Sequence, residues 1–323
     1  MTTSTLRRRS APAAAVLTLA LALSACGGSD DDGGGGGGGD ALSGEVLVDG
    51  SSTVQPLTAA AGEYFAEEEP GVNVSVGTSG TGGGFEVFCQ GETDISNASR
   101  PIKDEEIALC EENGIEFTEL QVATDALTVV VSADNDFVDC LTTEELATLW
   151  GPAAEGTVTT WDQVNPEFPA EEIELYGPGT DSGTFDYFTD EINGEEGVSR
   201  TDYNASEDDN VIVQGVSGSA NAIGYFGYTY YEENSDALKA VEIDSGEGCV
   251  APSAETAQDG TYTPLSRPLF IYVSDTAASE KPEVKAFVDF YATNDDRIAE
   301  AAQYIPLNDE QRSALESAAE SIG

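Results

Sequence analysis

Between residues 45 and 113 the apolar positions switch repeatedly between two periods. Glu45 to Val48 reads as a short strand, and after a turn of small residues Leu57, Ala61, Tyr64 and Phe65 recur at helical spacing. Val72 to Val76 alternates as a second strand. It gives way, past Thr78 to Gly84, to another helical pattern through Phe85, Val87 and Phe88. A third unit runs from Asp94 to Pro101 into a helix predicted over Asp104 to Asn113. Strands alternating with helices predict an α/β chain with a parallel sheet, whose ligand sits where loops gather at the carboxyl ends of the strands.

The second half repeats the pattern. Ala126 to Ser132 is a continuous apolar strand, and Thr142 to Trp150 a helix with Thr142 or Thr143 as N-cap. Ile173 to Tyr176 is a strand that enters Gly177 to Thr184, a turn opening a helix with Phe185, Tyr187 and Phe188. Ala222 to Phe226 is a further strand, and Leu269 to Val273 the last one before a helix over Val284 to Tyr291. A chain of this length outgrows one typical core, so two lobes are expected, and 40% hydrophobic residues suffice to fill them. The runs at Ala126 and at Leu269 are the natural crossings, with the joints near Ala123 to Leu127 and Leu265 to Leu269. That places 44–125 with 268–323 in one lobe and 126–267 in the other.

The amino end is of another kind. Arg7-Arg8-Arg9 precedes an apolar run from Ala11 to Ala25 that is too short to span a bilayer, as in a removable signal peptide over 1–25. Leu23-Ser24-Ala25-Cys26 resembles a bacterial lipobox, which makes Cys26 the expected lipid-anchored residue at the outer face of the cell membrane. Gly27 to Asp40 is almost entirely Gly, Asp and Ser, so 26–43 is expected to be a flexible tether. Cys89, Cys110, Cys140 and Cys249 remain, an even number in an oxidising compartment. Three pairings are open. Cys89–Cys110 with Cys140–Cys249 is favoured, because the first closes a short loop and the second stays within one lobe. Zinc is disfavoured by the absence of His and of paired Cys-x-x-Cys knuckles, and no metal or cofactor is expected.

The formal charge is -49, from 61 acidic and 12 basic residues, which excludes a nucleic-acid partner, since phosphodiesters are held by Lys and Arg. Such a surface suits a salty medium where repulsion is screened. It also opposes the approach of an anion, so an anion site must rely on short-range donors. The turns supply them. Ser51-Ser52-Thr53, Ser79-Gly80-Thr81 and Ser182-Gly183-Thr184 each carry hydroxyls and backbone N–H groups at a strand-to-helix junction. Three such turns in both halves of the chain describe an oxyanion clamped between lobes.

Those turns, within Asp49 to Val54, Ser79 to Gly84, Asp94 to Pro101, Thr180 to Phe185 and Asn221 to Tyr225, resemble the phosphate-binding proteins of Pst-type ABC importers. The resemblance covers Glu45 to Leu307. It implies the two-lobed type II periplasmic-binding fold with a ligand cleft between lobes, and inorganic phosphate and the membrane subunits of an ABC importer as partners of a monomer. It also implies phosphate contacts from Ser51, Ser52, Thr53, Ser79, Gly80, Thr81, Asp94, Ser182, Gly183 and Thr184. One departure is that many members carry an Arg shortly before the Ser-Gly-Thr turn, whereas Gly177 to Thr180 has none. Arg100 is the basic residue that the candidate loops offer instead. Asp94 has a physical role to match: phosphate near neutral pH keeps a proton that a carboxylate can accept, whereas sulfate has none and is repelled.

Rival readings are a binding protein for another oxyanion, an adhesin or sensor on the same fold, and a phosphate-ester hydrolase. The last lacks His, a phosphate loop ending in Gly-Lys and a clustered Asp motif, so the chain is not expected to be an enzyme.

Overall fold

The computed structural model describes residues 42–323; the expected signal peptide, Cys26 and the expected tether up to residue 41 lie outside them. In chain order the first half contains β1 (Gly44–Gly50), α1 (Gln55–Glu68), β2 (Val72–Val76), α2 (Gly80–Phe88), β3 (Ile95–Ala98), α3 (Asp104–Asn113) and β4 (Phe117–Ser132). Then come β5 (Cys140–Thr142), α4 (Thr143–Trp150), β6 (Glu174–Gly177), α5 (Gly183–Phe188), β7 (Asn204–Ala205), α6 (Asp209–Ser217) and β8 (Ala222–Gly227). They are followed by α7 (Tyr228–Glu233), β9 (Leu238–Ala240), β10 (Glu242–Asp244), β11 (Cys249–Val250) and α8 (Ala254–Gln258). The chain closes with β12 (Ser266–Ser274), α9 (Asp275–Glu280), α10 (Pro282–Thr293), α11 (Asp295–Ala301) and α12 (Asp309–Ser321).

The main sheet runs β2-β1-β3-β12-β4-β8-β6-β7, with β9 on β4. β1 pairs in parallel with β2 and β3, and β6 in parallel with β7 and β8, as strand and helix alternation predicts. The middle is antiparallel: β12 pairs antiparallel with β3 and β4, and β4 with β8. The all-parallel expectation is therefore corrected to a mixed sheet. Both strands that join the halves run against their neighbours, because a chain that crosses out and later returns must pair in opposite directions.

β4 is also longer than its apolar run. It begins at Phe117 rather than Ala126 and pairs with β12 as far as Ala126 and with β8 from Leu127. Thr118, Glu119, Gln121 and Thr124 break the apolar pattern, yet ladder bonds to β12 keep this stretch extended. Two large cores flank this handover. One gathers Val46, Leu57, Phe65, Ile95, Ile271, Phe287 and Leu315, and the other Val129, Leu149, Trp150, Trp161, Phe188, Ile223 and Tyr225. Within the second, Phe188 stacks on Tyr225 at 3.9 Å, and the Trp150 edge meets Tyr225 at 4.9 Å.

Both expected disulfides are formed. Cys89–Cys110 joins the end of α2 to α3, and Cys140–Cys249 ties together the small sheet β11-β10-β5. Among the described residues no helix is long and apolar enough to cross a membrane, and no acidic or thiol cluster could hold a metal ion.

Candidate anion site

The site begins at the end of β1. Gly50 has φ 134°, and an added Cβ would lie 2.2 Å from Asn97 O, so only glycine fits between β1 and β3. Ser51 N then donates to Asn97 O at 2.9 Å, and Gln55 N to Ser51 O at 3.1 Å, which closes the turn ahead of α1. Asp49 joins this turn to the next. Its Oδ1 accepts from Gly50 N at 2.8 Å and from Ser79 N at 3.0 Å. Thr81 and Ser99 join the second turn to the third through an Oγ1 to Oγ contact of 3.1 Å, with Ser99 N donating to Thr81 Oγ1 at 3.2 Å. The three turns of the first lobe are thus one hydrogen-bonded unit.

The glycine run after Ser79 is helix rather than turn. α2 starts at Gly80, and an ideal Cβ on Gly84 would sit 2.5 Å from Gly50 Cα and 2.9 Å from Ser96 Oγ. Gly84 is therefore what lets α2 lie directly on the first turn. Across the cleft, Ser182 Oγ accepts from Thr184 N at 3.2 Å and caps α5. A Cβ on Gly183 would be 3.4 Å from Thr53 Oγ1, so the two lobes approach each other here.

These turns surround a cavity of about 520 Å³, several times the size of a tetrahedral oxyanion. Of the residues singled out in the sequence, Ser51, Ser52, Thr53, Gly80, Thr81, Arg100 and Gly183 line it. Lys103 and Arg267 line it too, while Asp186, Asp190, Glu191 and Glu196 form an acidic wall. Three of the twelve basic residues precede residue 10, so three of the remaining nine meet at one cavity in a chain with 61 acidic residues.

Arg100 is gripped by Glu106 through two 2.8 Å bonds and lies 5.8 Å from the Phe85 ring centroid. Burial pushes the Glu106 carboxyl up, but the Arg100 hydrogen bond and the Lys103 amide more than offset this and hold it below its usual value. Arg267, on β12, is held from three directions. Its Nε donates to Asp125 Oδ2 at 3.2 Å, its Nη2 to Thr53 Oγ1 at 3.1 Å, and its guanidinium carbon lies 3.6 Å from the Tyr187 ring centroid. Asp125 is buried and its carboxyl is pushed up by that burial, against the pull of Arg267. On the acidic wall, burial and Glu196 raise the Asp186 carboxyl, while Arg267 opposes them.

A family model described as the PBP superfamily domain matches residues 36–295. SphX of Synechocystis sp. is 51% identical over 268 residues, 83% of this chain and 80% of that protein. The phosphate-binding protein PstS of Staphylococcus saprophyticus is 45% identical over 266 residues, 82% of this chain and 81% of that protein. The chain belongs to the PstS family of the PBP superfamily. Among solved structures, a possible phosphate binding protein from Planctomyces limnophilus superposes with a TM-score of 0.82 at 44% identity, covering 87% of this chain and 99% of that one.

Within this PstS-family fold, four of the expected contacts fall elsewhere. Asp94 is the clearest correction. It precedes β3, at the end of the sheet away from the turns, where its carboxylate accepts from Leu47 N at 3.0 Å and from Lys281 Nζ at 2.8 Å. A strand's first residue cannot reach a ligand at its carboxyl end, so Asp94 is a buried tie between β1 and the start of α10. Neither Ser79, whose amide donates to Asp49, nor Ser182, whose hydroxyl accepts from Thr184 N in the α5 cap, lines the cavity. Thr184 lines a separate cavity beside Asp125 and Tyr304. Sequence reading missed Arg267, although a lone Arg inside a predicted crossing segment, facing Asp125 within the other crossing, was the signal. It also supplies a cation beside α5, where Gly177 to Thr180 offers none.

Proposed function

We propose that the protein is an extracytoplasmic solute-binding protein that captures inorganic phosphate and delivers it to an ABC importer, anchored to the outer face of the membrane through a lipid on Cys26. The observation that carries this reading is the gathering of Arg100, Lys103 and Arg267 with three hydroxyl- and amide-rich turns around one cleft of an otherwise acidic molecule. The phosphate contacts proposed are Ser51, Ser52, Thr53, Gly80, Thr81, Arg100, Gly183 and Arg267. Asp186 replaces Asp94 as the carboxylate that accepts the phosphate's proton: it lies on the cavity wall within the field of Arg267, and its raised affinity for a proton suits the task. The proposed lobes are 44–125 with 268–323 and 126–267, and the monomer works by closing on the anion. No catalytic step is assigned; a chain without His supplies no imidazole base.

Calorimetric titration with phosphate, arsenate and sulfate tests the reading. Phosphate should bind and sulfate should not, and Arg267→Met should cost about 2–5 kcal/mol of phosphate affinity if its guanidinium meets the anion in a desolvated cleft. Equal binding of sulfate, or full phosphate affinity in the Arg267 variant, would refute it.

A further inference from the structure

After α11 the chain passes beside the handover of β4 from β12 to β8. Among the described residues Gln303 is the non-glycine residue in the left-handed region, with φ 61°. That conformation costs free energy and persists only where its surroundings hold it. Its carbonyl accepts from Thr229 Oγ1 of α7 at 2.8 Å, and Pro306 O accepts from Gln258 Nε2 of α8 at 2.7 Å. Both donors belong to the second lobe. Between these anchors Ile305 bridges to Thr124 of β4 and packs against Ala126, Tyr228 and Ala257. Tyr304 turns the other way, and its hydroxyl donates to Thr53 O at 2.8 Å.

Thr53 is the residue of the first turn that Arg267 also holds. A trans peptide unit points its N–H opposite to its carbonyl, so a Thr53 carbonyl held by Tyr304 fixes the Val54 N–H to point away from Tyr304. We propose that Tyr304 is a positioning residue of the anion site and that residues 303–306 are a strap through which the second lobe sets the geometry of the first turn. The inference rests on the cleft being the phosphate site. It adds that binding strength depends on residues outside the cleft, through one mechanical path with two side-chain anchors on the second lobe besides the backbone bridge to Thr124.

The test is a double-mutant cycle by calorimetry with inorganic phosphate. Tyr304→Phe keeps the ring and removes the donor; the pair Thr229→Val with Gln258→Ala releases both anchors. Each should weaken phosphate about tenfold, while the triple variant should be no weaker than either, because all three act through one strap. Wild-type affinity in Tyr304→Phe, or losses that multiply in the triple variant, overturns the inference. Hydrogen exchange on the ligand-free protein supplies a readout that does not depend on the ligand. Releasing the anchors should speed exchange of the Gln55 amide, which is bonded to Ser51 O, and unchanged exchange there overturns the strap. A wild-type protein that binds no phosphate, yet shows this acceleration in the released variant, would sink the phosphate reading and leave the strap standing.

Discussion

Asp94 and Asp186 sit in opposite surroundings, one tied inside the first lobe and the other on the cavity wall. Asp94 answers Lys281 and a backbone amide within the first lobe, whereas Asp186 faces the cleft. Asp94→Asn should therefore cost stability, about 1–3 kcal/mol for a buried carboxylate losing its charge beside a half-exposed lysine, and leave the ratio of phosphate to sulfate affinity unchanged. Asp186→Asn should do the reverse and admit sulfate without lowering the melting temperature. Calorimetry and thermal melts on the two variants separate these outcomes. The sequence placed Thr53, Thr81 and Gly183 at strand-to-helix junctions that do line the cavity, whereas Ser79, Ser182 and Thr184 of the same motifs do not. The place of Asp94 was not legible, because a motif read as a string does not say which end of its strand it occupies. Nor was that of Arg267, whose role exists only because two distant strands pair.

At the scale of elements, hydrophobic period located the strands and helices, and tertiary pairing set their limits. β4 gained nine residues over its apolar run through its ladder with β12. α2 took in glycines that propensity assigns to a loop, because Gly84 packs against Gly50. The first turn of α6 holds a testable element-level conflict. Asp208 caps the helix by accepting from Asn210 N, and the next residue, Asp209, is pushed up to about 6 by burial and by the neighbouring Asp208 and Glu207. A carboxyl whose folded value lies above its ordinary 3.8 favours folding while it is neutral, so its contribution is complete below about pH 4 and is lost as pH rises through about 6. Asp209→Asn should therefore raise the stability at pH 7 by about 1–2 kcal/mol, allowing for its partial exposure, and change nothing at pH 4. Thermal melts across that range measure it; an equal gain at both pH values would mean that the carboxyl is not the source.

For the whole molecule, surface and site oppose each other. Seven of the nine basic residues after residue 9 are paired with carboxylates among the described residues, so the long-range field belongs to the unpaired acids. At molar salt the Debye length falls to about 3 Å and that field disappears, while hydrogen bonds within a shut cleft persist. Added sodium chloride should raise both the association rate for phosphate and the melting temperature, as stopped-flow binding and thermal melts would register. An association rate that falls steadily with salt would instead mean that Arg100, Lys103 and Arg267 dominate the approach. The frame itself shapes the motion. β4 passes through both lobes as a single strand of 16 residues, bonded to β12 on one side of the handover and to β8 and β9 on the other. A strand laddered in this way cannot fold sharply at one residue without tearing its bonds, so it yields as a torsion bar does, by a little twist at every step. If the proposed closure takes place about this strand, the two jaws would keep their register through each stroke and present the same rim to a partner each time they shut.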